Sequence, residues 1–518
     1  MKITYIGHAG FVVDLGEESV LCDPWMSPAG AFAGSWFQWP ANDHILPDSL
    51  EQVTHLYVSH HHRDHFDEWF LKGRSVEFRE RVQVVIARYP YGDLLGMLQE
   101  CGYRNITEVH QGNAFTTARG AELFMQREMN PLHQDSATTI HKDGITFVNT
   151  NDCKLIVPQE DDIAARYGAV DALAMQFSGA TFHPTSYMYP QDELLKLCRF
   201  RRATKERRVL EAADRLGARF YIPSAGPPCF LDEQLFHLNR NEATIFPGYD
   251  DFERFARTWR KGKNVPFRTL APGDSVHLPS GEIEQPSDLV ERALSLDYIK
   301  EYAARRQEAL AGELERFRRP IGRIVSDAKD HFQELLERVP ELSDLAGAAM
   351  RVHLTGEGGG ELTVDLAAKR VNGEVSSGAR QVFDLRLSTF WMRAIVDGLI
   401  SWEDFLLSFR FQVTREPDYH NEALLAFLII EQPERRNEFV LHRHRMEEQS
   451  ERVRREIDGM LVEHDRFCPH NGEDLVEARI TKGMLVCPRH GWQFSTEDGH
   501  GLNNPCTIHL TPVDPSLP

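Results

Sequence analysis

Two short segments near the C-terminus pair a cysteine with a histidine. They are Cys468-Pro469-His470 and, after sixteen intervening residues, Cys487-Pro488-Arg489-His490. Thiolate sulfur and imidazole nitrogen are ligands for soft and borderline metals, and each pair needs a tight turn to aim both side chains at one centre. Pro469 with Asn471-Gly472, and Pro488 with Gly491, supply turn chemistry. Four such ligands fit either a Cys2His2 zinc site or an iron–sulfur cluster. A second set, Ser59-His60-His61-His62-Arg63-Asp64-His65, follows an apolar-leaning strand, Thr54–Ser59. On an extended loop His60 and His62 point the same way and can hold one metal. Asp64 and His65 fall on the next turn, where they can hold a second.

These residues need elements to position them. Residues 1–285 alternate strands and helices. Ile3–Ile6, Phe11–Asp14 and Ser19–Cys22 read as short strands split by glycine turns, and Gly144–Asn149 and Phe220–Pro223 as buried strands. Residues 286–344 read as a charged helical linker broken at Pro320. In residues 345–430, the stretch from Arg351 to Thr355 alternates like a strand, Gly358-Gly359-Gly360 turns, and Glu361–Leu366 returns as a second strand. An amphipathic helix near Ser388–Ile400 follows. Residues 431–455, with Arg435, Arg436, His442 and Arg443, read as a charged linker or exposed helix. Residues 456–518 carry the Cys/His pairs.

Composition narrows the partners. A net charge of −20 argues against nucleic acid or an anionic membrane as main partner. No stretch approaches the ~20 apolar residues that span a bilayer. The N-terminus shows no signal peptide, and eight cysteines in 518 residues are no disulfide scaffold. The expected location is the cytoplasm.

The flanks of the Cys/His pairs resemble the Rieske domains of oxygenases and their ferredoxins. This implies a [2Fe–2S] cluster on Cys468, His470, Cys487 and His490, with the thiolates on one iron and the imidazoles on the other. The His60–His65 run fits the H-x-H-x-D-H signature of the metallo-β-lactamase fold. Asn130-Pro131-Leu132-His133-Gln134-Asp135-Ser136 is similar to that family's next His motif, and Asn149–Asp152 to its bridging Asp motif. The resemblance implies metal ligands at His60, His62, Asp64, His65, His133 and Asp152, with Asp64 and His65 also catalytic. Gly7-His8-Ala9-Gly10-Phe11 and Asp23-Pro24-Trp25 look like the subgroup that includes ascorbate-6-phosphate lactonase, and His8 reads as a structural residue of the first turn. The family's last His has no counterpart in Tyr221–Cys229, which leaves His183 and His237 as substitutes. Residues 345–430 resemble a sterol-carrier type of domain. The expected fold class is therefore α/β: a metallo-β-lactamase αββα sandwich, a sterol-carrier-like α+β domain and a small all-β Rieske domain.

Zinc has no redox chemistry, so an electron carrier fused to a zinc hydrolase has nothing to reduce. Imidazole and carboxylate ligands also suit Fe(II). The pairing of the two domains resembles the CMP-N-acetylneuraminate hydroxylase family, as do Gly179–Pro184 and Ser224-Ala225-Gly226, although the order of domains differs. The resemblance implies a monooxygenase with one or two non-haem irons. It would take O2, a small organic substrate such as a sugar nucleotide or N-acyl compound, and electrons from a reductase, ferredoxin or b-type cytochrome. The alternatives are a metal-dependent hydrolase or lactonase holding zinc, with the Rieske domain as redox regulator, and a non-catalytic electron-transfer protein. Coupling requires His490 to lie towards the His60–His65 loop.

Overall fold

The computed structural model describes residues 1–513 except 260–264, 285, 339, 450, 458–459, 471, 477 and 489–490. His490 lies outside the described residues.

The N-terminal half is built on two facing sheets. One has eight strands, ordered Glu282–Glu284, Ser275–His277, Lys2–Gly7, Gly10–Asp14, Ser19–Cys22, His55–Tyr57, Gln83–Ala87 and Ile106–Val109. The other has six, ordered Phe220–Ser224, Ala172–Gln176, Ile145–Asn149, Ser136–Lys142, Glu122–Arg127 and Ala114–Thr116. Ile3, Tyr5, Phe11 and Val13 from the first sheet meet Leu123, Ile140, Phe147 and Ile222 from the second in a shared buried core. Each large apolar side chain so buried contributes about 1.5–3 kcal/mol. Helices cover both outer faces. Phe70, Phe78 and Leu98 pack on the eight-stranded sheet, and Ile163, Val209 and Phe252 pack on the six-stranded one. This is the expected αββα sandwich. Strands Ser19–Cys22, His55–Tyr57 and Gln83–Ala87 run parallel, so the loops leaving their C-terminal ends lie side by side.

Residues 286–344 are more than a linker. In helix Leu296–Arg316, Ile299 and Tyr302 enter the core of the sandwich, while Phe332, Leu335 and Leu336 of helix Ile324–Arg338 enter the next core along. That next unit has a five-stranded sheet ordered Arg370–Val371, Gly360–Asp365, Ala348–Thr355, Gln381–Ser388 and Phe411–Glu416. The hairpin is present, with Arg351 opposite Thr363 and His353 opposite Glu361. Met350, Val352 and Leu354 point inward, as the alternation requires.

Residues 431–455 are not a solvated linker. Helix Pro433–Glu447 runs between the middle unit and the C-terminal domain, and its Arg435, Arg436 and Arg443 are buried. Arg436 is 0% exposed and donates to the carbonyls of Ile430, Leu335 and Phe427. Arg435 donates to those of Pro131 and Leu132, and Arg443 to that of Pro469. A run of charge looks solvated in sequence, but a guanidinium can be buried where backbone carbonyls satisfy its fork. The C-terminal domain is small and β-built, with two three-stranded antiparallel sheets over a core that includes Leu475, Leu485, Phe494 and Ile508.

Candidate functional site

The C-terminal turns repeat one backbone pattern. The amide of Gly472 donates to Cys468 O, and that of Gly491 to Cys487 O. The amide of Cys468 donates to Glu473 O, and that of Cys487 to Trp492 O. Gly472 and Gly491 sit at φ +72° and +71°, the left-handed region glycine enters without strain. Cys468 and Cys487 are buried with their thiols in contact, and burial followed by the neighbouring thiol pushes Cys468 well above the ordinary cysteine range. Two buried thiols beside the buried imidazole of His470 are the donor set of a soft metal centre, so the described ligands fit the cluster. The His470 ring stacks on Trp492 at 4.2 Å between centroids. Its Nε2 lies 2.8 Å from Glu422 Oε1, an oxygen that also accepts from Asn130 Nδ2 at 2.7 Å. Burial opposes the charge on Glu422, but His470 and Arg443 outweigh it and hold the carboxyl well below the usual range.

The second cluster assembles at the ends of the parallel strands. Asp23 follows strand Ser19–Cys22 and anchors the loop that follows His55–Tyr57. Its Oδ1 accepts from Ser59 N at 2.7 Å, and its Oδ2 accepts from Ser59 Oγ at 2.6 Å and faces His65 Nδ1 at 3.0 Å. That turns His65 Nε2 towards Asp152 Oδ1 at 3.6 Å and Asp64 Oδ2 at 3.7 Å. His60 Nε2 lies 2.9 Å from His62 Nδ1 and 3.8 Å from Asp135 Oδ1. His8, at φ +53° in the first hairpin turn, brings its Nε2 to 3.0 Å from Asp64 Oδ2. It is thus both a turn residue and a member of the cluster. From the middle unit, Glu403 reaches His62 Nε2 at 3.2 Å and His61 Nε2 at 3.1 Å.

Three-donor groups close enough to share one ion are His8–Asp64–His65, His60–His62–Asp135, His60–His65–Asp152 and His61–His62–Glu403. Oδ1 of Asp64, of Asp135 and of Asp152, with Nε2 of His65, are buried without a hydrogen-bond partner in the described structure. Such orphaned donors and acceptors are costly unless something binds them. Imidazoles with carboxylates suit a divalent first-row metal, iron and zinc included, so the residues fit a metal here. The electrostatics divide the donors. Burial, then the surrounding histidines, hold His60 neutral, as a ligand must be. Burial opposes charge on His62, yet Glu403 raises it to about 9. Burial pushes Asp135 up, whereas Asp152 is held low because His65 outweighs burial.

Of the expected ligands, His60, His62, Asp64, His65 and Asp152 come together. His133 lines the adjoining cavity but is outside the donor groups, and Asp135, two residues on, takes the place beside His60. Neither substitute for the last His reaches the cluster. His237 is exposed on a 3-10 turn, and His183 is bonded to Tyr189 and Arg201. Sequence reasoning missed Glu403 and Glu422, which lie in helices of the middle unit and carry no motif. Asp135 was visible within the quoted His motif but not distinguished from His133.

A cavity of about 300 Å³ joins the two clusters. His62, Asp135, Asp152 and Glu403 line one part of it, and His470 and Trp492 another.

Residues 429–513 match the Rieske [2Fe–2S] domain family, and residues 2–199 match a β-lactamase superfamily domain. The chain joins a Rieske domain to a metallo-β-lactamase fold. A protein of Mycolicibacterium smegmatis named for a Rieske 2Fe-2S centre is 28% identical over 524 residues, covering 97% of this chain and 98% of that one. A metal-dependent hydrolase of Rhizobium leguminosarum bv. trifolii is 30% identical over 164 residues, 31% of this chain and 59% of its own length. Among solved structures, CmlA, a diiron β-hydroxylase from Streptomyces venezuelae, is similar at 17% identity over 54% of each chain, with a TM-score of 0.36. Among the described residues no helix is long and apolar enough to cross a membrane.

Proposed function

We propose that this Rieske protein is an iron-dependent monooxygenase that hydroxylates a small organic substrate with O2. One observation carries the reading: the cluster ligand His470 and the donors His62, Asp135, Asp152 and Glu403 line the same cavity. An electron carrier is useful only beside an acceptor, and zinc accepts no electron. Held by His60, His62, His65 and the carboxylates around them, iron would supply the redox chemistry by which O2 is reduced and one oxygen enters the substrate.

The chain's own residues prepare that site. Asp23 and Ser59 fix the His65 ring, so that Nε2 is the nitrogen presented. His8 holds Asp64, and Glu403 holds His61 and His62 against the middle unit. We assign Asp64 and His65 to ligation at the reacting centre. Glu422 links His470 to Asn130, on the loop that runs on to Asp135. That gives a bonded connection between the centres. An external reductase, ferredoxin or b-type cytochrome would reduce the cluster.

The test is reoxidation. Protein reduced under nitrogen and mixed with O2 and substrate should recover its cluster absorbance quickly. His60→Ala and His65→Ala should be slower by at least about tenfold, with cluster content unchanged. Equal rates would sink the coupling. The similarity to a metal-dependent hydrolase favours a second reading, with the Rieske domain as redox regulator. Stoichiometric zinc and hydrolytic turnover indifferent to reduction would establish that one instead.

A further inference from the structure

The cavity has a basic wall that the oxygen chemistry does not use. Helix Gln191–Arg215 presents Arg201, Thr204, Lys205 and Arg208 to it, the i, i+3, i+4 and i+7 spacing of one helix face. Most of these cations are matched within the protein. Arg208 meets Glu160 at 2.5 Å, Lys205 donates to the neutral amide oxygen of Gln176 at 2.5 Å, and Arg415, a neighbour of Arg201, meets Asp418 at 2.6 Å. Arg201 is different. Among the described residues no carboxylate lies within ion-pair distance of it, and its one hydrogen bond goes from Nη2 to His183 Nδ1 at 3.0 Å.

The neighbours of Arg201 add no negative charge. A His183 that accepts at Nδ1 must be neutral, with Nε2–H donating to Tyr189 Oη at 3.1 Å, which donates in turn to Asp418. Burial first, then Arg201 and Arg415, keep His183 neutral. His420, which also lines the cavity, is held neutral by burial, down to about 3. A guanidinium with four N–H groups directed to nothing charged, beside a second guanidinium, is costly to enclose unless an anion completes it. Its planar fork matches a carboxylate or phosphate.

The opposite wall is apolar. Helix Glu422–Ile429, sequence EALLAFLI, is apolar almost all round. Ala426 and Phe427 pack in the middle core, and Leu424, Leu425 and Leu428, which pack at the same core, also line the cavity. A helix with two apolar faces needs cover on both.

We propose that the cavity binds an amphipathic anion, with a carboxylate or phosphate on Arg201 and an apolar body along Leu424, Leu425 and Leu428. As the class of substrate this rests on the monooxygenase reading; as a binding site it does not. The body would lie in the same cavity as His62 and Glu403, so the group to be oxidised is on the apolar part, and the anionic head serves for anchorage.

Calorimetric titration of oxidised, full-length protein without reductant tests the site. The probes are decanoate, decyl phosphate, decanol and decyltrimethylammonium, with acetate and inorganic phosphate as headgroups alone. One of the two decyl anions should bind at least about tenfold more tightly than decanol, the ammonium and the bare headgroups, and which one identifies the head. Arg201→Met should erase the preference over decanol, while Leu425→Gln should weaken every decyl probe and keep the preference. Should Arg201→Met fail to retain its cluster absorbance, Arg201→Lys takes its place and should weaken the anions selectively. No preference for anions in the wild type, or the same preference without Arg201, overturns the proposal. If the anions bind but do not alter O2 reoxidation of the cluster, the monooxygenase reading fails and the binding site stands.

Discussion

The two clusters of metal donors are assembled by opposite means. In the Rieske domain, each ligand-bearing turn closes on itself, glycine amide to cysteine carbonyl, within five residues of chain. The His60–His65 loop is fixed from outside. Asp23 comes from the neighbouring strand end, His8 from the first hairpin, Asp135 and Asp152 from the facing sheet, and Glu403 from the middle unit. A site closed locally is lost by a change in itself and tolerates changes elsewhere. A site that converges from afar depends on every contributor.

Substitutions can break or sharpen that contrast. The largest effect is expected from Cys487→Ser, which should abolish the visible absorbance and the low-g EPR signal of the reduced cluster while leaving metal at His60–His65. A variant that kept its colour would break the cluster assignment. Next is Glu403→Gln, remote in sequence from the loop it serves. It should weaken metal binding at that loop by about 10–100-fold, with the cluster spectrum unchanged. Unaltered metal content would reduce Glu403 to a latch between units. The smallest effect is expected from Arg435→Met, which leaves the carbonyls of Pro131 and Leu132 without their donor. It should lower stability in denaturant titrations by about 1–3 kcal/mol, with both metal centres retained. Loss of either centre would show that helix Pro433–Glu447 holds the two regions in a tighter unit than the contrast allows.

The same contrast explains what was legible in the sequence. Cys468, His470 and Cys487 could be read because ligand, proline and glycine sit within a few residues of one another. The sandwich could be read because its strands announce themselves as short apolar runs between glycine turns. His60, His62, Asp64 and His65 were legible as a local run, and Asp152 as a motif at a strand end. The motif Asn130–Ser136 fixes a loop and not which of two residues at i and i+2, His133 or Asp135, comes nearer to His60. Glu403 and Glu422 were invisible. Each is one glutamate at the start of a helix, and its partners are remote in sequence: His61 lies 342 residues from Glu403, and His470 and Asn130 lie 48 and 292 from Glu422. The buried arginines of 433–447 were misread for a related reason: composition reports charge and says nothing about whether carbonyls wait to receive it.

The reach of Glu403 to His61 and His62 also sets an order of events during synthesis. The sandwich strands leave the ribosome first, and domains generally fold as they emerge, N-terminal end first. The His60–His65 loop therefore exists for more than three hundred residues of translation before Glu403 is made. Until then the loop is short of a carboxylate, and the cavity wall formed by helix Glu422–Ile429 is absent. A newly made chain would meet the cell's pool of metal ions with this loop half-built, and it gains its full set of donors only when the middle unit docks. The Rieske turns come last and close on themselves, so the maturation of the cluster does not wait on that docking.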